Sequence, residues 1–335
     1  MITLEVNDSP DSYWNKRLIE SNFGTESQID AASYQFISNK QSPKFLFFLN
    51  NSGKIIAQLL LSELNRFSEN PHKKKSFKNK LYPFSDLLSN MHIKTKLYRW
   101  AYGPVIFDKI YSNDVYLRLS EFLLKNNSHQ VVGWQHPLII EGFSSLQNKF
   151  RLKKWGTFLI DLSKSKEELF NNIDRSSGRK NINKAIKNNI QIESIDENNL
   201  FQYFELLNLS KNNLGGLKNN FEYFVETWKS MEKFGRKGFL AKKDDLLLSG
   251  INFSSISGHI IENGVARSVE DQNNSFYTQD LLRWKIIEWG VDNQMKWYNL
   301  AGFNPSPETN KEKGILRYKK KWGGKQFNYY GIHLK

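Results

Sequence analysis

Positive charge is concentrated near the C-terminal end of the sequence, in a segment with seven cations: Lys311, Lys313, Arg317, Lys319, Lys320, Lys321 and Lys325. Within it, Tyr318 and Trp322 stand four residues apart, on one face of a helix that the glycine pair 323–324 should end. Ammonium and guanidinium groups bind phosphates, and they stabilise the oxyanion that develops when an acyl group is transferred. The aromatic pair is also suited to dock the helix on a sheet. The segment therefore predicts a cationic helix for phosphate binding or acyl transfer, anchored in part by its aromatic residues.

A second cationic stripe lies earlier in the chain, where Lys180, Lys184 and Lys187 follow one another at helical spacing. Ile182 and Ile186 mark a different face of the same predicted helix. Three ammonium groups in one row could bind phosphates. A solvated face opposite an apolar one explains the pattern at least as well.

Several kinds of catalytic site have no support in the sequence. The chain has no cysteine, which excludes thiolate nucleophiles, disulfides and Cys-ligated metals. We find no G-x-S-x-G nucleophile elbow, no phosphate-binding P-loop and no G-x-G-x-x-G dinucleotide motif. Acyl transfer to an amine needs an activated ester or thioester, a neutral amine and stabilisation of negative charge, but no metal or covalent enzyme intermediate. The six histidines are scattered without the spacing of metal ligands: His72, His92, His129, His136, His259 and His333. We therefore predict no metal site and no resident cofactor.

The length and composition favour a globular protein of two domains. The 335 residues suffice for two cores of about 150 residues each, and 39% of them are hydrophobic. The net charge of +14 would attract polyanions, although a lysine-rich solvated surface gives the same surplus. The charge run at His72–Lys80 has the same two interpretations, and we favour a solvated loop. The N-terminus lacks a signal-peptide pattern, and no apolar stretch approaches the ~18–20 residues of a membrane span. We therefore predict a cytoplasmic protein without a membrane span.

The same order of elements is predicted in both halves: a hairpin, a strand, a helix, and a strand that carries tryptophan. In the first half these span 45–49 and 55–61, 97–102, about 113–125, and 131–134; in the second they span 238–241 and 246–253, 258–266, about 278–293, and 296–300. Leu282, Ile286 and Trp289 share one face of the second helix, for which Thr278 is the expected N-cap. The repeat predicts duplication of one α/β module. We place the boundary near Lys153, which gives domains 1–153 and 154–335.

Three stretches resemble the Fem-type peptidyltransferases (FemABX), which add amino acids from aminoacyl-tRNA to peptidoglycan precursors and belong to a wider group of GNAT-like acyltransferases. The first comprises residues 157–163, 167–169 and 179–185, similar to a strand, an acidic helix start and a basic helix of the family. The second comprises residues 281–284 and 297–302, and the third is the segment 314–324. In the first half the resemblance is confined to residues 102–104 and the strand before them. It implies an α/β (α+β) fold of two tandem GNAT-like domains, with mixed sheets flanked by helices.

The resemblance singles out Lys319, because it matches a family lysine that follows an aromatic residue. It implies that Lys319, next to Tyr318, stabilises the tetrahedral oxyanion or holds the phosphate or ribose end of the donor. The sequence departs from the family pattern at Asn183, a position where the family often has a further Arg. In addition, no long helical hairpin is predicted between Leu200 and Gly235. The matches also imply a set of substrate-binding residues: Arg179, Lys180, Lys184, Tyr102, Trp284, Asn299, Gly302, Arg317 and Trp322.

The sequence also bears on the acyl donor. GNAT domains that use acetyl-CoA resemble one another in a glycine-rich loop at a helix start, whose N–H groups bind pyrophosphate. The matching stretches here, 107–115 and 270–279, contain no glycine, and the second begins with Glu270 and Asp271. An aminoacyl-tRNA, or another carrier-bound acyl group, is therefore favoured over acyl-CoA, with an amine of a cell-envelope precursor or small molecule as acceptor. Two alternatives stay open: a CoA-dependent N-acyltransferase of polysaccharides or metabolites, and a non-catalytic RNA- or polyanion-binding protein. The oligomeric state is left open as well.

Overall fold

The structure, a computed structural model, describes residues 2–65, 95–126, 128–139, 141–146, 150–213 and 220–334. The chain divides into two compact units. Unit 1 comprises residues 1–155 and 328–335, and unit 2 comprises residues 156–327. The charge run His72–Lys80 lies outside the described residues.

The strands of unit 1 follow the order β1-β2-β3-β4-β6-β13, in which β13 (Lys325–Leu334) is the last strand of the chain, and a short strand β5 lies beside β3. A tight turn joins β2 to β3: Asn50 Oδ1 accepts hydrogen bonds from the N–H groups of Ser52 and Lys54, and Gly53 has a φ of +76°. β4 and β6 run parallel. The described elements are β1 (Thr3–Asn7), α1 (Trp14–Glu20), α2 (Ser33–Ser38), β2 (Ser42–Leu49), β3 (Ile55–Asn65), β4 (Lys96–Trp100), β5 (Val105–Ile106), α3 (Ser112–Lys125) and β6 (Ser128–Trp134), with short 3₁₀ turns at Glu26–Gln28, Asp30–Ala32, Lys109–Tyr111 and Phe143–Leu146.

The helix that connects β4 to β6 covers the core of unit 1. Val115, Leu119 and Leu123 recur at helical spacing in α3, and all are buried among the apolar residues of the sheet. A parallel pair of strands needs such a crossover connection, which explains why a helix follows β4.

The strands of unit 2 follow the order β7-β12-β11-β10-β9-β8 and include parallel and antiparallel pairs. β11 and β12 run parallel and are joined through a buried helix, α9, whereas β9 and β10 form an antiparallel hairpin. The elements are β7 (Phe150–Asp161), whose first residues belong to unit 1, α4 (Lys166–Asn172), a π-helical turn (Arg175–Arg179), α5 (Lys180–Lys187), β8 (Gln191–Ser194), α6 (Leu200–Asn213), α7 (Phe221–Glu232), β9 (Arg236–Lys243), β10 (Leu246–Ile256), β11 (His259–Arg267), α8 (Val269–Asn274), α9 (Thr278–Asp292), β12 (Trp297–Phe303) and α10 (Asn310–Lys320).

The predicted repeat of hairpin, strand, helix and parallel strand is present in each unit, as β2-β3-β4-α3-β6 and as β9-β10-β11-α9-β12. The α/β class with mixed sheets flanked by helices is therefore confirmed. In unit 2, α6 and α7 pack on the sheet through an apolar cluster that includes Tyr203, Leu207 and Trp228. The described parts of these two helices thus form a layer of the domain.

Two details of the prediction are wrong. The last residues do not belong to the second domain, because β13 pairs with β6, with Gly331 opposite Trp134, and residues 328–335 therefore fall in unit 1. Thr278 is not the N-cap of α9, since that position is taken by Tyr277 in a left-handed conformation with a φ of 60°. The Thr278 hydroxyl instead accepts a hydrogen bond from Ser249 Oγ at 2.6 Å in the core.

Candidate active site

The helix α10 begins at a capping box. Thr309 Oγ1 accepts a hydrogen bond from the N–H of Glu312 at 3.2 Å, and a Glu312 carboxylate oxygen accepts one from the N–H of Thr309 at 3.0 Å. Asn304 also donates to Glu312, at 2.9 Å. The hydrogen bonds from Asn304 and from Thr309 lower the pKa of Glu312 to about 2. The cap fixes the start of the helix that carries Tyr318 and Lys319.

Lys319 is held by three consecutive carbonyl groups of β12. Its ammonium nitrogen donates to the carbonyl oxygens of residues 300, 301 and 302 at 2.5, 3.0 and 3.0 Å. Burial lowers the pKa of Lys319 to about 8. An ammonium has three N–H donors, and all three are engaged here. Lys319 therefore ties α10 to β12 while placing a positive charge against the strand.

A bulge in β12 makes this arrangement possible. The pairing of β12 with β7 shifts register between Asn299 and Gly302, and Ala301 has a φ of 60°. Asn299 stabilises the bulge, because its Oδ1 accepts from the N–H of Ala301 at 2.8 Å and from Thr157 Oγ1 at 2.5 Å. Of the predicted substrate-binding residues, Gly302 thus contacts Lys319 through its carbonyl, and Asn299 supports the bulge that presents the carbonyls.

An ion pair lies beside Lys319. Both Glu262 of β11 and Arg283 of α9 expose only 9% of their side chains, and two hydrogen bonds of 2.8 and 2.9 Å join them in a bidentate pair. Tyr298 donates to the same carboxylate at 2.6 Å. Burial alone would lower the pKa of Arg283, but Glu262 raises it on balance, so the guanidinium stays charged.

Tyr318 links this pair to a second one. Its hydroxyl accepts from Arg283 at 2.6 Å and donates to Asp280 at 3.1 Å. Asp280 in turn accepts from Lys321 at 2.6 Å, and the Lys321 ammonium lies 4.3 Å from the centre of the Tyr318 ring. Burial raises the pKa of Tyr318 well above its ordinary value. Its hydroxyl therefore stays protonated and holds the two ion pairs together.

These side chains border a cavity of about 350 Å³ in unit 2. Its walls come from β11, α9, β12 and α10, and the lining residues are Glu262, Arg283, Leu300, Lys311, Gly314, Ile315, Tyr318 and Lys319. The cavity is large enough for a small polar group, and hydrogen bonds hold the charged groups of Glu262, Arg283 and Lys319 at its wall. Preorganised charge of this kind is suited to stabilise charge that develops during a reaction.

The sequence analysis did not identify Glu262, Asp280 and Arg283 as site residues. The signal lay in their surroundings: Glu262 follows the apolar Ile260 and Ile261 in a strand, and Arg283 stands on a helix with buried residues on both sides. A charge in such an apolar context has to be paired. The sequence could not show which partner it finds.

A second cavity, of about 500 Å³, includes part of the predicted basic helix. It is lined by Phe170, Arg175, Ser176, Arg179, Lys180 and Asn183. The Arg179 side chain donates from one terminal nitrogen to Asn171 at 3.2 Å, whereas its Nε is buried with no hydrogen-bond partner among the described residues. Lys184 lies apart from this lining, exposed, with its ammonium 4.9 Å from the centre of the Tyr277 ring.

The other predicted site residues lie elsewhere. Trp284 is buried in the core of unit 2, with its ring 5.0 Å from that of Phe170, and Trp322 is buried too and lines a separate cavity of about 320 Å³. Arg317 is exposed. Tyr102 belongs to unit 1, where it has a φ of 50° and its ring lies 6.2 Å from that of Tyr329. None of these four lines the cavity of Tyr318 and Lys319.

The stretch 270–279 forms the short helix α8 and the turn into α9. The carboxylate of Asp271 is buried, forms an ion pair with Arg267, and accepts the N–H of Thr278 at 3.3 Å. Ser268 caps α8 by accepting from the N–H of Asp271. The first N–H group of α9 therefore already donates a hydrogen bond to a carboxylate of the protein.

Residues 265–333, which contain Arg283, Asn299, Tyr318 and Lys319, match the FemAB family model. The C-terminal region of this chain is thus similar to the FemAB family. Three solved structures share the fold over nearly the whole chain. FemX aligns with 97% of this chain and 96% of its own at 13% identity, with a TM-score of 0.70. L-PGS from Bacillus licheniformis aligns with 98% of this chain and 93% of its own at 14% identity, with a TM-score of 0.56.

A tandem GNAT protein from the clavulanic acid biosynthesis pathway aligns with the whole of this chain (100%) and 98% of its own at 8% identity, with a TM-score of 0.54. No curated protein matches the chain. The Fem-type resemblance and the tandem GNAT-like fold are therefore confirmed. Among the helices within the described ranges, none combines the length and the apolar character needed to cross a membrane.

Proposed function

We propose that this FemAB-type protein transfers an aminoacyl or acyl group from an activated carrier, with aminoacyl-tRNA favoured, to an amine of a cell-envelope precursor or small molecule. The observation that carries the proposal is the cavity of about 350 Å³ that borders Lys319, Tyr318 and the Glu262–Arg283 pair. All of these residues except Glu262 lie inside the FemAB-matching region. Because the favoured donor is made in the cytoplasm, we place the reaction there.

The reaction forms a C–N bond and breaks the ester C–O bond. The acceptor amine attacks the ester carbonyl, negative charge collects on the carbonyl oxygen, and the proton lost by the amine passes to the leaving oxygen. The Lys319 charge at the cavity wall stabilises the oxyanion. Since its three N–H groups already bind carbonyls, a direct hydrogen bond to the oxyanion requires the ammonium to exchange one carbonyl for it. Tyr318 positions the neighbouring charges.

Two features favour a tRNA donor over acyl-CoA. The start of α9, where backbone N–H groups would bind pyrophosphate, is occupied by the Asp271 carboxylate, and Glu270 lies beside it. A pyrophosphate placed there would have to displace the Asp271 carboxylate, which is also held by its ion pair with Arg267. The cavity lined by Arg175, Arg179 and Lys180 offers phosphate-binding groups instead, for either the donor or a phosphorylated acceptor.

The test is a transfer assay with radiolabelled aminoacyl-tRNAs and acyl-CoAs offered in parallel against candidate amine acceptors. We expect transfer from aminoacyl-tRNA, and we expect Lys319→Met to reduce its rate by about 100-fold or more, because removal of one oxyanion-stabilising group typically has this effect. Lys320→Met is the matched control, since Lys320 is the next residue, is exposed and carries the same charge.

Equal activity of the two variants would contradict the role of Lys319. Transfer from acyl-CoA alone would show the protein to be a CoA-dependent N-acyltransferase. RNA binding without transfer to any acceptor would leave a non-catalytic binding protein.

A further inference from the structure

One face of the sheet in unit 1 carries two indole rings next to a row of cations. Arg151, Lys153 and Trp155 alternate along the first part of β7, so their side chains leave the same face of the strand. The rings of Trp155 and Trp134 lie 5.6 Å apart at 50°, and the Lys153 ammonium is 4.9 Å from the centre of the Trp155 ring. Both tryptophans are only half-buried. They are therefore accessible to a ligand that stacks on aromatic rings.

The backbone is shaped to seat one of these rings. Gly331 of β13 stands directly opposite Trp134 in the strand register, and a Cβ atom at that position would lie 2.6 Å from the indole. Only glycine lets the ring lie this close to the strand. On the same side, the ring of His333 approaches Trp134 to 6.0 Å, edge to face. The indole is thus fixed on the sheet surface, beside the cations.

The cations surround an open cavity of about 540 Å³, which is lined by Arg151, Leu152, Lys153, Lys154 and His333. Arg151, Lys153 and Lys154 are exposed, and no carboxylate among the described residues pairs with any of them. The Nε2 atom of His333 is buried with no hydrogen-bond partner in the described part of the chain. A concave surface with this charge and a spare polar atom is complementary to an anion.

Burial lowers the pKa of His333, and the nearby charges of Lys153 and Arg151 add to this effect. The histidine is thus neutral at physiological pH in the absence of an anion, and the positive potential at the cavity comes from the other three side chains.

We propose that this face binds single-stranded RNA, with phosphates held by Arg151 and Lys153 and a base stacked on Trp155. The two cations are two residues apart on an extended strand, or roughly 6.8 Å along it, a separation comparable with that of successive phosphates in a nucleic-acid strand. Base stacking on aromatic rings within a basic groove is the usual means by which proteins hold single strands without sequence preference. The inference rests on the proposed function, since an aminoacyl-tRNA donor brings a single-stranded 3′ end to the protein.

The experiment measures binding of a short, fluorescein-labelled single-stranded oligoribonucleotide to the full chain by fluorescence anisotropy, over a range of salt concentrations. The double variant Arg151→Ala/Lys153→Ala should reduce the slope of log K against log salt by about 1.4, because each phosphate contact to a single strand contributes about 0.7. The control is Lys54→Ala/Lys125→Ala, which removes the same charge from exposed positions elsewhere in unit 1. Its slope should equal that of the wild type.

A second pair of variants tests stacking. Trp155→Ala should weaken binding roughly 5- to 150-fold, the range that corresponds to loss of one stacked base, whereas Trp155→Phe retains a ring and most of the affinity. Near-ultraviolet circular dichroism checks that both variants are folded. Equal slopes for the two double variants would overturn the proposal. The proposal would also be overturned if uridine monophosphate displaced the labelled probe at the same concentration as an unlabelled oligonucleotide does. That result would indicate a pocket for a mononucleotide.

The binding measurement needs no transfer reaction, so the two proposals can fail separately. If RNA binds this face but no charged tRNA acts as a donor, the RNA site stands and the donor assignment fails. If transfer depends on Lys319 while Arg151→Ala/Lys153→Ala binds RNA as the wild type does, only the RNA site is refuted.

Discussion

Replacement of Glu262 by glutamine removes one charge from the buried network while keeping the shape of the side chain. In the structure the carboxylate accepts two hydrogen bonds from Arg283 and one from Tyr298. A glutamine amide keeps one accepting oxygen, and its NH₂ group would face the donors of the guanidinium. Loss of one partner from a buried ion pair costs about 3–5 kcal/mol, because the other charge stays buried without compensation. We therefore expect Glu262→Gln to reduce the free energy of unfolding by about 3–5 kcal/mol.

Glu193→Gln is the matched control. Glu193 is also in unit 2 and also forms an ion pair, with Lys242, but 41% of its side chain is exposed. Exposed pairs contribute up to about 1 kcal/mol, so the same chemical change should have little effect there. Urea-induced unfolding followed by tryptophan fluorescence gives both values.

If Glu262→Gln costs no more than Glu193→Gln, the argument from the buried pair is refuted. A double variant, Glu262→Gln/Arg283→Met, extends the test. It should lose less stability than the sum of the two single variants, because it no longer contains an unpaired buried charge.

Two further predictions concern pH. Because burial lowers the pKa of Lys319 to about 8, its charge is lost as the pH rises through that value, and the rate of transfer should fall above pH of about 8. The Lys319→Arg variant keeps its positive charge at this pH, so its rate should not fall in the same way. A fall in rate that is still present in this variant would assign the titration to another group. The pKa of Glu312, lowered to about 2, means that its capping contribution is complete above the ordinary value of 4.5 and is lost as the pH falls through about 2. The difference in denaturant midpoint between the wild type and Glu312→Gln should accordingly shrink on acidification, and a constant difference would show that the charge does not matter.

Local sequence patterns determine where the helices and hairpins of this protein form. Hydrophobic spacing in 278–292 and turn residues such as Asn50 and Gly53 specify a helix and a hairpin through interactions between near neighbours, which are written in the sequence. The order of elements then predicted two related α/β units. The FemAB resemblance selected Lys319 from a row of similar lysines, a choice that charge alone could not make.

Tertiary structure decided how the charges are used. Lys319 and Lys320 are adjacent in sequence, yet one ammonium is engaged by three carbonyls of a bulged strand and the other is exposed. Glu262 meets Arg283 21 residues further along the chain, and the cations of β7 meet His333 from the far end of the chain. Such contacts depend on strand order and on a shift of register within β12, which no short stretch of sequence encodes. A buried charge must find a partner, but only the packing of distant segments determines which one is within reach.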